Sequence, residues 1–237
     1  WRFIMSEFRV NSITNQDGSA GPQVCGVSTF SRKSGVQIPS GSTDFRSHDG
    51  SGRGRGVFAG GGTPSKSDVI NTVQIATTAN ATDFGNLSVA KNGVAALASA
   101  TRGVFSGGYT PTQQSTIEYL NFQSQGGVND FGDLLETQSD HMSGSNNTIG
   151  IFSRQRLTQF ITIASTGNST DFGDSTQTSR QQAGVSNGTR AVFGGGYIEQ
   201  SSPYLRDVMD YVTIAQTGNA VDFGDLSNAS RVTASVN

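Results

Sequence analysis

The chain has 237 residues, among them 31 glycines, five prolines and a single cysteine, with 14% charged residues and a formal net charge of −2. That balance excludes the basic footprint of a nucleic-acid binder, any intrachain disulfide, and a metal cluster built on cysteines. No run of about 18 apolar residues occurs and the start lacks the zones of a signal peptide, so a soluble cytosolic product, or one released by some route other than ordinary secretion, is expected, with no membrane partner.

Taken in order, Trp1–Ile4 precede MSEFRV, which reads as a natural start at Met5, and they are set aside. Phe8, Val10 and Ile13 fall close to the alternation of a short strand. Asn15–Pro22, NQDGSAGP, is dense in turn formers and forms no regular element. Residues 1–23 are therefore expected to be an arm or attachment segment. From Val24 three short β-type runs follow: GVSTF over Gly26–Phe30, GVQI over Gly35–Ile38, and STDF over Ser42–Phe45.

The remainder is a tandem repeat. RGVFAGGG at Arg55–Gly62 returns as TRGVFSGGY at Thr101–Tyr109 and GTRAVFGGGY at Gly188–Tyr197, with a degenerate copy, NTIGIFSRQ, at Asn147–Gln155. Each copy is followed by a second phrase: ATDFGNL, VNDFGDL, STDFGDS and AVDFGDL. The period of roughly 40–50 residues points to a repeat architecture. Units fall at about 46–91, 92–138, 139–179 and 180–230. Each reads as four short strands: a small-residue strand, the Val-Phe strand with its glycines, an alternating strand, and the Thr-Asp-Phe-Gly strand.

Four antiparallel strands per unit is a propeller blade. The runs in 24–45 lack a first strand, and the closing RVTASVN, Arg231–Asn237, matches a first strand with nothing after it. The expected fold is all-β: a propeller over 24–237, with five blades, the fifth composed of 24–45 and 231–237. The rival is four blades beside a separate N-terminal domain. Val192 and Phe193 should point to opposite faces of their strand and pack on different neighbours, and Phe223 should bury its ring between blades, with Asp225 bonding backbone amides at the turn.

None of the motifs that could carry chemistry is complete. Asp-Phe-Gly occurs in protein kinases, but here it recurs in every unit and no catalytic loop accompanies it. Ala59–Thr63 is glycine-rich without a Lys-Ser/Thr ending. His48 and His141 stand beside Asp49 and Asp140 with no third ligand or nucleophile, and both pairs read as solvated turns. Cys25 reads as a buried thiol. No enzyme activity, metal or cofactor is expected.

The connections between second and third strands vary while the strands repeat: TPSKSD after Gly62, TPTQQS after Tyr109, SRQRL over Ser153–Leu157, and YIEQSSPYLRD over Tyr197–Asp207. Variation on one side of a repeat scaffold is where binding is usually placed. Tyr109, Arg154, Arg156, Tyr197, Tyr204 and Arg206 supply the aromatic and guanidinium groups suited to contacts there.

The arginines at 46, 180 and 231, the Gly-Gly pairs at 60–62, 107–108 and 194–196, and the alternating strand after them resemble kelch repeats. The match covers about four fifths of the chain, by the repeat boundaries above. It departs in lacking the late tryptophan, whose place the Phe of Asp-Phe-Gly takes, and the third unit has lost its Gly-Gly. The wording GNAVDFGDL with TRAVFGGGY, and the opening FRVNSITNQDGSAGP, look like virion structural proteins of tailed phages, especially those of marine bacteria and cyanobacteria. That resemblance implies a non-enzymatic protein, assembled in the host cytoplasm and displayed on the particle as capsid decoration or a tail component. Its partners would be other virion proteins, met through residues 5–23 or one propeller face, with a host-surface glycan as a further partner. A free, lectin-like propeller is the alternative. A copper oxidase of the kelch type is disfavoured by the two histidines and single cysteine.

Overall fold

The computed structural model describes residues 54–62, 64–75, 77–198 and 202–231, together with the backbone of 23–24 and 27–28. Residues 1–47 and 48–237 form two units. In the first, β1 (Gln23–Val24) pairs antiparallel with β2 (Val27–Ser28). Cys25, His48 and, apart from those strands and Arg231, the segments expected to form a fifth blade (24–45 and 231–237) lie outside the described residues.

The second unit is four antiparallel sheets in succession, with no helix among the described residues. The first sheet holds β3 (Arg55–Ala59), β4 (Val69–Gln74) and β5 (Thr82–Asn86). The second holds β6 (Ala95–Ala98), β7 (Arg102–Ser106), β8 (Gln114–Asn121) and β9 (Asn129–Gln138). The third holds β10 (Met142–Ser145), β11 (Ile149–Thr162) and β12 (Thr170–Ser179). The fourth holds β13 (Ala183–Ser186), β14 (Arg190–Gly194), β15 (Val208–Thr213) and β16 (Val221–Asp225).

The third sheet has four rows despite its three strands. At roughly 3.3 Å per residue a straight β11 would hold its ends tens of ångströms apart. Instead the Ile163 amide donates to the Thr148 carbonyl at 2.8 Å, and the Ser153 and Thr158 hydroxyls meet at 3.0 Å. β11 thus doubles back on itself within Arg154–Leu157, where Gln155 takes a φ of 55°. Loss of the Gly-Gly pair has shortened the long connection of the other units to a tight turn.

Among the described residues, three hydrophobic cores lie between successive sheets. Ile70, Phe84 and Leu87 of the first meet Phe105 and Leu120 of the second. Val104, Ile117 and Phe131 meet Phe152 and Ile161. Met142, Ile151 and Phe172 meet Phe193 and Val212. Val104 and Phe105 therefore serve opposite faces, as strand alternation requires, and each buried ring contributes on the order of 2 kcal/mol.

The Asp-Phe-Gly phrase is a β-bulge. Ile70 pairs with Gly85 and Asn71 with Asp83, so Phe84 is the extra residue, and the same shift recurs at Phe131, Phe172 and Phe223. The turn-forming carboxylate precedes the phenylalanine rather than following the glycine: Asp83, Asp171 and Asp222 accept from the amides of Gly85, Gly173 and Gly224. This corrects the assignment to Asp225. The glycine is required by close approach. A Cβ on Gly132, whose φ is +143°, would stand 2.5 Å from the carbonyl of Gly167 in the next sheet, and Gly85 and Gly173 back onto Gly126 and Gly218 in the same way. Beside these contacts the Gly126, Gly167 and Gly218 amides donate to the carbonyls of Phe84, Phe131 and Phe172.

A second tie links the small-residue strands. Gly93, Asp140 and Gln181, each just before such a strand, have φ of 63°, 53° and 56°, and the Asp140 amide donates to Gly93 O while that of Gln181 donates to Asp140 O. The Ser143 and Ser145 hydroxyls of β10 donate to Ala96 O and Ala98 O of β6, and the Ser186 hydroxyl of β13 to Ser145 O. The two ends of the series differ from its middle. Phe58 is 63% exposed and Phe223 50% exposed, whereas their counterparts in the other sheets are buried. The expected burial of Phe223 is thereby corrected: among the described residues no sheet follows β16 to cover it.

Candidate functional site

Most of the residues singled out by loop variation line up along the end of the sheets where second strands turn into third. Lys66, from the first sheet's connection, places Nζ 4.0 Å over the Tyr109 ring. Tyr109 bridges to Asn92 and to Gln113, and the Gln113 side chain accepts from Arg154 Nη1 at 3.3 Å. Arg154 in turn feels the charge of Arg180, whose guanidinium lies 5.8 Å from the Tyr197 ring. Arg231 sits over the same ring at 4.3 Å, and Tyr204 stacks on Tyr197 with centroids 6.2 Å apart. The string touches all four sheets.

Its members are not equally available. Tyr109 and Tyr204 are exposed, Tyr197 and Arg206 half-buried, and Arg154 buried. Arg156 points away into solvent and meets Asp174 of its own sheet at 3.7 Å. Arg206 reaches this edge through its backbone, donating to Gly196 O. Sequence variation thus finds the edge, but Arg154 belongs to its floor.

Beneath that floor lies a polar layer that loop variation does not reveal. His141 is buried, not a solvated turn, because it follows the left-handed Asp140 and turns inward under Gly107. Its Nε2 lies 2.8 Å from Ser106 Oγ, and its ring packs edge-on against Phe152 at 5.8 Å. Burial first, and the Arg154 charge second, push its pKa down to about 3, so the ring is neutral at physiological pH. Burial and then the Arg180 charge pull the Arg154 guanidinium below its ordinary value, against Asp140 and Glu136. A neutral histidine against one serine could resemble a nucleophile pair, but no described residue reaches His141 Nδ1 to orient the ring as a base. Among the described residues no three His, Cys, Asp or Glu side chains gather into a metal site.

The layer continues with an ion pair that sequence reading also misses. Lys91 Nζ meets Glu118 Oε2 at 2.7 Å with both side chains withdrawn from water, and Glu118 Oε1 accepts from the Ser88 amide. Gln159 and Asp210 hold the corresponding place in the next sheets and accept from the amides of Leu135 and Thr176. The signal was present in sequence: a polar residue at one position of every alternating strand, Asn71, Glu118, Gln159 and Asp210. No family model matches the chain, and no curated protein sequence matches it.

Proposed function

We propose that the chain is a kelch-like β-propeller of a tailed-phage virion, a non-enzymatic module shown on the particle surface and joined to other virion proteins. The ring would hold five blades, with 24–45 and 231–237 forming the fifth. In support of that ring stand the adjacency of the small-residue strands β6, β10 and β13, the one-way ties between sheets, and the apolar faces left at Phe58 and Phe223. The repeat wording supports the virion assignment.

The observation that carries a docking role is the string from Lys66 to Arg231 along one edge. It brings exposed tyrosines beside cations, the composition that dominates protein interfaces, and it differs from sheet to sheet. A lectin with one site per blade would repeat its contact residues, whereas the third sheet has a two-armed turn with Arg156 where the second and fourth carry Tyr109 and Tyr197. That asymmetry favours a single docking surface. Cryo-electron microscopy of particles from the source tests the reading: density for this chain at fixed, symmetry-related positions, with this edge or the arm of residues 5–23 against a neighbour, is the expected result. Finding the chain only free and monomeric would overturn it.

A further inference from the structure

At the opposite end of the strands, one junction between sheets is built differently from the others. In the second, third and fourth sheets an aromatic side chain on the third row packs edge-on against the Phe of Asp-Phe-Gly: Tyr119 on Phe131 at 5.9 Å, Phe160 on Phe172 at 5.8 Å, and Tyr211 on Phe223 at 6.0 Å. Arg102 and Arg190 cover Tyr119 and Tyr211, each at 4.5 Å. Strand register identifies the corresponding residue of the first sheet. Tyr119 and Tyr211 pair with Val104 and Val192, and the residue paired with Val57 is Thr72.

Thr72 removes the ring and leaves its space. Arg55, which corresponds to Arg102, lies 5.8 Å from Phe84 itself and is held there by donating to Phe122 O at 2.6 Å. The asparagines that clamp the other junctions, Asn168 and Asn219, accept from the amides of Asp133 and Asp174; Gly127 stands in that place here. The outcome is an open cavity of about 460 Å³ between the first and second sheets. That volume lies in the range of small-molecule sites.

The lining selects the ligand. Phe84, itself buried in the core, closes the bottom, Arg55 gives a fixed guanidinium, and Asn80, Asp83, Gln123 and Gln125 a wall of amides and a carboxylate. Gln125 is positioned by donating from Nε2 to Asp83 O at 3.0 Å. Amides, a guanidinium and a carboxylate converging on one cavity match the adjacent hydroxyls of a sugar ring, which both donate and accept. A purely hydrophobic group would leave those polar groups without partners on burial, at a cost. We infer that this cavity is a binding site for one pyranose ring of a glycan, formed where Thr72 replaces the aromatic side chain that fills the other sheets. The inference does not rest on the virion assignment, since the free chain carries the same cavity.

Saturation-transfer NMR on the full chain, with glucose, galactose, mannose and N-acetylglucosamine as separate probes, tests it. At least one sugar is expected to receive saturation, with shifts at Phe84, Asn80 and Gln125 in the protein spectrum. Thr72→Tyr restores the ring present at Tyr119 and Tyr211 and should abolish the signal. Because that change also removes the Thr72 hydroxyl's bond to Gly56 O, Asn80→Ala and Gln125→Ala serve as independent variants, each expected to weaken binding about fivefold. The inference is overturned if none of the four sugars binds, if binding survives both Thr72→Tyr and the two alanine variants, or if tyrosinamide binds in the cavity where the sugars do not. Sugar binding by a chain absent from particles would sink the virion reading and keep this one.

Discussion

Lys91 and Glu118 face each other across the first and second sheets at 2.7 Å, the lysine fully buried and the glutamate side chain 4% exposed. A pair taken this far from water is strongly destabilising when one partner is removed, because the other charge is left uncompensated. Lys91→Met is expected to cost about 3–5 kcal/mol. Adding Glu118→Gln should recover much of the loss, since the amide oxygen can still accept from Ser88 as Gln159 accepts from Leu135. Urea unfolding of the two variants checks this, and equal losses in both would contradict it.

Stability should fall on acidification in a window set by His141. Its folded pKa of about 3 lies below the ordinary 6.5, so the unfolded chain binds a proton that the folded chain refuses. The contribution is complete above about pH 6.5 and is lost progressively as pH falls toward 3, at up to roughly 1.4 kcal/mol per pH unit. Asp210 works the other way: burial raises its carboxyl, which weakens the fold as pH rises through the carboxylate range. Midpoints of urea unfolding measured from pH 7 to 4 should drop in the parent and stay flatter in His141→Gln.

Alanine at the bulge glycines should separate inner junctions from the end of the series. Gly132→Ala places a methyl group against the Gly167 backbone and also strains φ, so a loss above about 3 kcal/mol is expected. At Gly224, with φ +130°, no described atom lies within 4 Å of the added Cβ, which leaves backbone strain alone, about 1–2 kcal/mol. If the proposed fifth blade closes the ring, Gly224→Ala will cost as much as Gly132→Ala. Thermal unfolding of both variants distinguishes the cases.

If the edge is the proposed docking surface of a virion component, its exposed tyrosines should matter for attachment and little for folding. Tyr109→Ser and Tyr204→Ser are expected to change unfolding free energy by about 0.5 kcal/mol or less, as exposed positions do. Occupancy on reconstituted particles, counted by gold labelling, should fall in the double variant.

How far the sequence discloses this molecule depends on which positions repeat. The Val-Phe and Asp-Phe-Gly phrases recur because each meets the same neighbours in each sheet, so the all-β class, the strand order and the two-faced packing of Val104 and Phe105 are readable from them. Phe223 carries the same letters as Phe131 and yet lies exposed, because burial of that ring depends on a neighbouring sheet and not on the strand that bears it. His141 reads as a solvated turn, since a histidine beside an aspartate gives no sign that Asp140 will adopt a left-handed conformation and turn the ring inward. Thr72 escapes notice for the opposite reason: threonine is ordinary in a strand, and only the register against Tyr119 and Tyr211 shows that a ring is missing.

The ties between successive described sheets are head to tail: Gly85, Gly132 and Gly173 each receive the loop of the following sheet, and the two surfaces that meet are different. Such a head-to-tail contact has no self-complementary solution; it closes into a ring or continues without limit. Phe58 and Phe223 leave apolar faces exposed at the two ends of the described series, and if no segment of the same chain occupied them, the Phe223 end of one molecule could receive the Phe58 end of the next. Whatever covers these two rings therefore decides between a discrete molecule and a filament.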